Sequence, residues 1–255
     1  MSTTDKTGAA QRGIRIEAGA KRIRAFLGGE LVADTIEPQL VWEARNYPTY
    51  YFPAADVRAE LLEQKGVAHS PSRGDATVFS VSAGGKRVAD AALRYEDSPI
   101  ERLRGLVRLE WDAMDAWFEE DVEVFTHPRN PYTRIDILPS SRHVRVELDG
   151  VTVAESTSLR LLFETGLPVR YYLPKTHVRM DLLELTDVVT HCPYKGAAQA
   201  FSIHVGEQRQ EALAWSYPTP LPESAAIAGL VAFYNEKLDI AVDGVLQPRP
   251  STKFS

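Results

Sequence analysis

The sequence contains one pattern twice, starting at Tyr50 and again at Tyr171. Each copy reads Tyr-Tyr, a hydrophobic residue and Pro, followed at identical spacing by Val-Arg and Leu-Leu-Glu. Residues upstream match in the same register, and residues downstream match after short insertions. Each copy extends over roughly 100 residues, a normal size for an independent domain. Two copies predict tandem domains related by internal duplication, because a solenoid needs at least three repeats.

The limits of the repeat divide the chain into five predicted segments. They are a disordered tail over residues 1–13, a first repeat over 14–125, a linker over 126–141, a second repeat over 142–247 and a tail over 248–255. The linker is expected to be stiff, because it contains Pro128 and Pro131 and no Gly/Ser tract.

Composition excludes several classes of partner. A net charge of −6 provides no basic surface for nucleic acid or anionic lipid. The sequence contains no apolar stretch of about 18 residues, which is the length that would predict a membrane span. The single cysteine, Cys192, excludes an intramolecular disulfide and fits a reducing compartment, so we expect a cytoplasmic protein. From the charge and the lack of a membrane span, we expect neither nucleic-acid nor membrane partners.

Hydrophobic patterning predicts a mainly β fold with one C-terminal helix per unit, an α+β class. Val144, Val146 and Leu148 alternate with charged residues, and Asp149-Gly150 supplies a turn, so this segment predicts a hairpin. Near the end of each repeat, apolar residues recur at helical spacing. These residues are Leu103, Leu106, Val107, Trp111, Met114 and Phe118 in the first repeat and Ile227, Leu230, Val231, Tyr234 and Leu238 in the second.

Four motifs of the second repeat resemble those of the domain of unknown function 427 family. They are Tyr171-Tyr172-Leu173-Pro174, Val178-Arg179-Met180-Asp181-Leu182, His191-Cys192-Pro193-Tyr194-Lys195-Gly196 and Trp215-Ser216-Tyr217-Pro218. The chain looks like a tandem member of this family over residues 21–244. The resemblance implies a β-tent fold, in which two antiparallel sheets lean together over a cleft, and it implies no activity.

Other β-tent proteins carry a structural zinc ion on two Cys-x-x-Cys motifs. One cysteine cannot build such a site, and the histidines show no metal-ligand spacing. We therefore expect neither a metal nor another cofactor.

The loop from His191 to Gly196 carries the most reactive combination of side chains. Cys192 lies between His191 and Lys195, which can stabilise a nucleophilic thiolate. The corresponding loop of the first repeat, residues 69–74, keeps the histidine, the proline, a basic residue (Arg73) and the glycine, but has serine in place of cysteine. This pattern favours a cation that is presented to an anionic ligand, and a packed thiol is the alternative for Cys192.

Glutamate and arginine also recur together, as Glu43 with Arg58 and as Glu164 with Arg179. One interpretation is a stabilising Glu–Arg pair in each unit. The other places the carboxylate in a cleft, as a base or hydrogen-bond acceptor.

Three functions remain open on the sequence. The first is binding of a small anionic or aromatic molecule in a cleft between sheets, mainly in the second domain, where aromatic residues can form walls. Its expected ligand-binding residues are Glu164, Tyr172, Arg179, His191, Tyr194, Lys195, Trp215 and Tyr217. The second is an enzyme with Cys192 as nucleophile and His191 or Glu164 as base. The third is a protein-interaction scaffold that uses the two-domain surface or the linker.

Overall fold

The computed structural model describes residues 14–44, 46–252 and 254–255, with the backbone alone for residues 61–65. The chain divides into two compact units between Asn130 and Pro131. The tail predicted over residues 1–13 lies outside the described residues. In the part of the chain that is described, no helix is long and apolar enough to cross a membrane.

The first unit has eleven strands among its described residues. They are β1 (Arg15–Ala18), β2 (Ile23–Leu27), β3 (Glu30–Thr35), β4 (Gln39–Trp42), β5 (Thr49–Pro53), β6 (Glu60–Ser70), β7 (Gly74–Ala83), β8 (Lys86–Arg94), β9 (Leu106–Leu109), β10 (Ala116–Glu119) and β11 (Val122–Glu123). Seven form an antiparallel sheet in the order β1-β4-β5-β9-β8-β7-β6, and four form a second sheet in the order β11-β10-β2-β3. Short 3-10 turns lie at Ala54–Asp56, Glu101–Leu103 and Trp111–Ala113.

The second unit repeats this topology strand for strand. Its strands are β12 (Ile135–Ser140), β13 (Val144–Leu148), β14 (Val151–Ser156), β15 (Leu159–Glu164), β16 (Arg170–Leu173), β17 (Leu183–Cys192), β18 (Gly196–Val205), β19 (Gln208–Ser216), β20 (Val231–Phe233), β21 (Asp239–Val242) and β22 (Val245–Leu246). The sheet orders are β12-β15-β16-β20-β19-β18-β17 and β14-β13-β21-β22, and 3-10 turns lie at Lys175–His177, Met180–Leu182 and Pro222–Ile227. The duplication predicted from the sequence is confirmed.

Each seven-stranded sheet is covered on both faces. In the second unit, one face packs against the four-stranded sheet through residues such as Leu173, Val231 and Phe233. The opposite face carries a second apolar cluster, which contains Leu162, Tyr172, Ala198, Trp215, Tyr217, Ile227 and Ala232. The turn at Pro222–Ile227 reaches the edge strand β12, so the sheet curls around this second cluster. We call this side of the sheet the curled face.

The C-terminal helix predicted for each unit is wrong. The residues at helical spacing lie instead on 3-10 turns and short strands: Val231 is in β20 and Leu106 is in β9. All three residues of β20 are buried, because the strand lies inside a sheet with an apolar cluster on each face. A strand that is covered on both sides loses its alternation, and its apolar residues then match a helical spacing by chance.

Two segment boundaries differ from the prediction. Residues 135–140, assigned to the linker, form β12 and pair with β15 from Ile135 opposite Glu164 to Ser140 opposite Leu159. The first part of the linker packs on the first unit, where the His127 ring stacks on Tyr47 with centroids 4.0 Å apart. The predicted tail over residues 248–255 contacts the second unit, beginning with an ion pair of 2.9 Å between Arg249 and Asp239.

Two glycines bring hairpins of different sheets into contact in the first unit. Gly28 lies in the turn between β2 and β3, and Gly84 lies in the turn between β7 and β8, with φ of 61° and 55°. A Cβ atom on Gly28 would lie 2.7 Å from the carbonyl oxygen of Gly84. This contact therefore requires glycine for space as well as for backbone conformation.

We expect Gly28→Ala to destabilise the first unit by about 2 kcal/mol more than Gly29→Ala, because overpacking adds to backbone strain. Gly29 is the matched control: its φ is 79°, and a Cβ atom there would meet nothing within 4 Å. Urea unfolding of both variants measures the difference. If both variants lower the free energy of unfolding equally, the two hairpins can separate without cost.

Candidate functional site

Residues that are distant in the sequence meet on the curled face of the second unit. Tyr172 lies on β16 and Trp215 on β19, and both side chains belong to the same buried cluster. Glu164 ends β15, and Lys195 lies in the turn that joins β17 to β18. Alternation along the strands fixes which side chains share this face. The site thus lies inside the curl of one sheet, whereas the sequence placed it between two sheets.

An ion pair joins Lys195 to Glu164. The Lys195 Nζ contacts Glu164 Oε2, and the two side chains are only 11% and 8% exposed. The backbone fixes the lysine as well, because its carbonyl accepts a hydrogen bond of 3.1 Å from the Leu221 N–H. Two charges so far removed from water stabilise each other strongly, and each is costly if left alone.

Neutral phenols adjoin this ion pair. Tyr172 Oη accepts a hydrogen bond of 3.0 Å from Trp215 Nε1. Burial raises the pKa of Tyr172 and of Tyr217 well above the ordinary value, and the Glu164 carboxylate raises both further. Both tyrosines therefore stay protonated and serve as uncharged hydrogen-bonding groups across the physiological pH range.

Arg170 extends the site, and the sequence reasoning missed it. Its guanidinium forms two hydrogen bonds of 2.7 Å with Glu236 and lies 5.6 Å from the centre of the Trp215 ring. Burial raises the pKa of Glu236, but hydrogen bonds from Arg170 and Thr252 outweigh it, so this pKa lies below its ordinary value. Arg170 precedes Tyr172 by two residues on β16, and this spacing was the available signal.

The first unit has an equivalent arrangement. Glu43 forms an ion pair with Arg73 and accepts a hydrogen bond of 2.5 Å from Tyr51 Oη. The strand register makes Tyr51 the counterpart of Tyr172 and Tyr95 the counterpart of Tyr217. An acid, a base and tyrosines therefore meet in both units, although the base changes from arginine to lysine.

Of the two interpretations of the recurring glutamate and arginine, the pairing of Glu43 with Arg58 and of Glu164 with Arg179 is wrong. Arg179 is exposed and bonds to Asp181 at 2.6 Å, and Arg58 contacts Asp34 at 3.4 Å. The Arg179 N–H donates to the Val153 carbonyl of β14, which is part of the four-stranded sheet. Arg179 therefore does not join Glu164 and Lys195.

The remaining residues of the predicted loop lie in different environments. Cys192 is half-buried at the end of β17, and His191 is exposed. Because neighbouring residues of a strand point to opposite faces, His191 and Cys192 diverge. Tyr194 is half-buried, and its carbonyl accepts a hydrogen bond of 3.3 Å from Ser224. Over the described ranges of the chain, no three His, Cys, Asp or Glu side chains are grouped so that they could hold a metal ion.

These features define a mainly β protein of two homologous units, each with a buried acid–base pair on its curled face. Residues 15–120 and 136–244 both match the family model described as a domain of unknown function (DUF427). The chain therefore belongs to the DUF427 family and carries two copies of its domain. The comparison with curated proteins gives no match.

We expect Lys195→Met to lower the free energy of unfolding by about 3 kcal/mol, because it leaves the Glu164 carboxylate buried without a partner. The double variant Glu164→Gln/Lys195→Met should recover much of this loss. Arg179→Met is the control, since it breaks an exposed ion pair and should cost less than about 1 kcal/mol. Urea unfolding distinguishes the three; a double variant that is as unstable as the single one would contradict the buried pair.

The raised pKa values of the tyrosines predict a loss of stability at alkaline pH. Well below the ordinary pKa of 10.0 the phenols are protonated in both states, so they contribute no pH dependence. Above pH 10 they ionise in the unfolded chain but not in the folded one, and the free energy of unfolding falls as pH rises.

Tyr217→Phe should therefore reduce the loss of stability between about pH 9 and 11. Chemical unfolding at a series of pH values provides the measurement. Identical curves for Tyr217→Phe and the parent protein would show that this phenol ionises freely in the folded state.

Proposed function

We propose that the second unit binds a small molecule that carries an anionic group and a flat aromatic part. Lys195 would hold the anionic group, Glu164 would accept a hydrogen bond, and Trp215 and Tyr217 would form the wall for the aromatic part. We also infer that each unit is a β-tent, an interpretation supported by its two antiparallel sheets packed through a common core.

The observation that carries the proposal is the acid–base pair that is present in both units, largely buried in the first and more deeply buried in the second. Glu43–Arg73 and Glu164–Lys195 occupy matching places, beside matching tyrosines. A buried ion pair is a weak means of gaining stability, because apolar residues of similar volume are often at least as stabilising. Its presence in both copies, with different bases, supports selection for charge at this place and therefore a role in binding.

The donors of the two bases favour the second unit as the binding unit. An ammonium group has three N–H donors, and the hydrogen bond found for Lys195 Nζ within the described residues goes to Glu164. Arg73 is more fully engaged: besides Glu43 it contacts Tyr51 at 3.4 Å and Ser70 at 3.1 Å. Lys195 therefore keeps donors for an incoming anion.

Four probes test this proposal by calorimetry: benzoate, phenyl phosphate, benzyl alcohol and inorganic phosphate. We expect the two aromatic anions to bind most tightly, because they alone supply both a charge and a ring. Lys195→Met should weaken their binding at least about tenfold, or 1.4 kcal/mol. Arg73→Met, the matched change in the first unit, should leave binding unchanged.

A second variant guards against simple loss of folding. Trp215→Leu introduces the residue that the first unit has at the corresponding position, Leu93. It should weaken the aromatic anions but not inorganic phosphate. Failure of every probe to bind, or equal affinity in Lys195→Met and the parent protein, would overturn the proposal.

A thiol enzyme is the second candidate. It is favoured by the position of Cys192, which is half-buried at the same end of the site as Lys195 and close enough to Tyr172 and Tyr217 to influence their pKa values. Glu164 would then be the base, because His191 points to the other face. As the only cysteine, Cys192 can be alkylated alone.

For an activated nucleophile, the rate of alkylation by iodoacetamide should stay high at pH 6.5, where an ordinary thiol is almost fully protonated. Lys195→Met should abolish this behaviour. A rate that falls tenfold for each pH unit below 8, as for free cysteine, would exclude this candidate.

A further inference from the structure

The C-terminal residues lie against the Trp215 end of the curled face. Residues 249–252 and 254–255 are called the latch here. Thr252 Oγ1 donates a hydrogen bond of 2.7 Å to Glu236 Oε1. The Phe254 ring lies 5.9 Å from the Tyr234 ring and 5.9 Å from the Arg170 guanidinium. The latch thus contacts residues that neighbour Trp215.

The hydroxyl of Thr252 organises the latch and attaches it to the sheet. The same oxygen that donates to Glu236 accepts a hydrogen bond of 3.0 Å from the Phe254 N–H. The Ser255 N–H donates a hydrogen bond of 3.2 Å to the Thr252 carbonyl. Thr252 is therefore bonded to Glu236 on the sheet and to both described residues that follow it.

With the latch in place, three aromatic rings surround Arg170. Trp215 and Tyr234 belong to the sheet side, with ring centres 4.6 Å apart, and Phe254 belongs to the latch. The two groups that Phe254 contacts, Tyr234 and Arg170, both adjoin the Trp215 ring. A ligand ring that packs against Tyr234 or Arg170 beside Trp215 therefore requires Phe254 to move.

This arrangement is specific to the second unit. By strand register, the first unit has Leu93 in place of Trp215 and Glu110 in place of Tyr234. The described part of the latch contacts the second unit through Arg170, Tyr234, Glu236 and Asp239. The unit with spare lysine donors is thus also the unit with a cover.

We propose that the latch is a reversible cover at the Trp215 end of the aromatic wall, and that a ligand ring packed on Trp215 displaces Phe254 from Tyr234 and Arg170. This inference rests on the proposed function, since it concerns access to the same site. Affinity for a protein that is mostly closed is reduced by the fraction of open molecules. Removing the latch should therefore tighten binding without changing Lys195 or Glu164.

Closure is tested on the full chain by 19F NMR after labelling with 5-fluorotryptophan. The chain has four tryptophans, and the loss of one resonance in Trp215→Phe assigns that residue. Phe254→Ala and Thr252→Val should shift the Trp215 resonance and increase its response to exchange of H2O for D2O. Phe163→Ala, at an exposed position of the second unit, should leave that resonance unchanged.

Binding is tested with phenyl phosphate on the full chain and on a variant that ends at Pro250. We expect the shortened protein to bind about tenfold more tightly, as for a cover that is open about one tenth of the time. Equal affinity, or a Trp215 resonance that is unaffected by Phe254→Ala and Thr252→Val, would overturn the latch and leave the proposed function standing. Absence of binding to both proteins would overturn both proposals.

Discussion

Each unit depends on a seven-stranded sheet that is covered on both faces by its own chain. A two-sided sheet needs apolar residues on successive positions of its inner strands, as in β20, where Val231, Ala232 and Phe233 are all buried. The four-stranded sheet covers one face, and curling covers the other. The curl is what brings β15, β16, β19 and the β17–β18 turn around one small interior.

That small interior explains why charge must be paired there. Hydrophobic residues supply most of its contacts, so a single ammonium or carboxylate would lose its hydration without compensation. Glu164 with Lys195, and Arg170 with Glu236, meet this condition by direct contact. The uncharged polar groups are paired as well, since the Trp215 indole N–H bonds to the Tyr172 hydroxyl.

Sequence reasoning was most reliable where a pattern depends on local geometry. The duplication and the Asp149-Gly150 turn were predictable, and both turn residues have positive φ in the structure. The strands found in place of the predicted helices were not predictable, because short strands that are buried on both faces show no alternation of polar and apolar residues. Lys195 could be predicted as a site residue from its loop. Its pairing with Glu164 could not be predicted, because that contact depends on how far the sheet curls. Arg179 was assigned a role from recurrence alone, and it lies with Asp181 on the surface.

The hairpin contact of Gly28 with Gly84 has no equivalent in the second unit, where Asp149 and Gly206 take the corresponding places. A Cβ atom on Gly206 or Gly150 would meet nothing within 4 Å. The two copies therefore differ in the space at this turn: the β13–β14 turn has room for longer loops and is restricted only by its backbone conformation, whereas the β2–β3 turn is restricted by its contact with Gly84 as well. Divergence after duplication should accumulate unequally at these two tips.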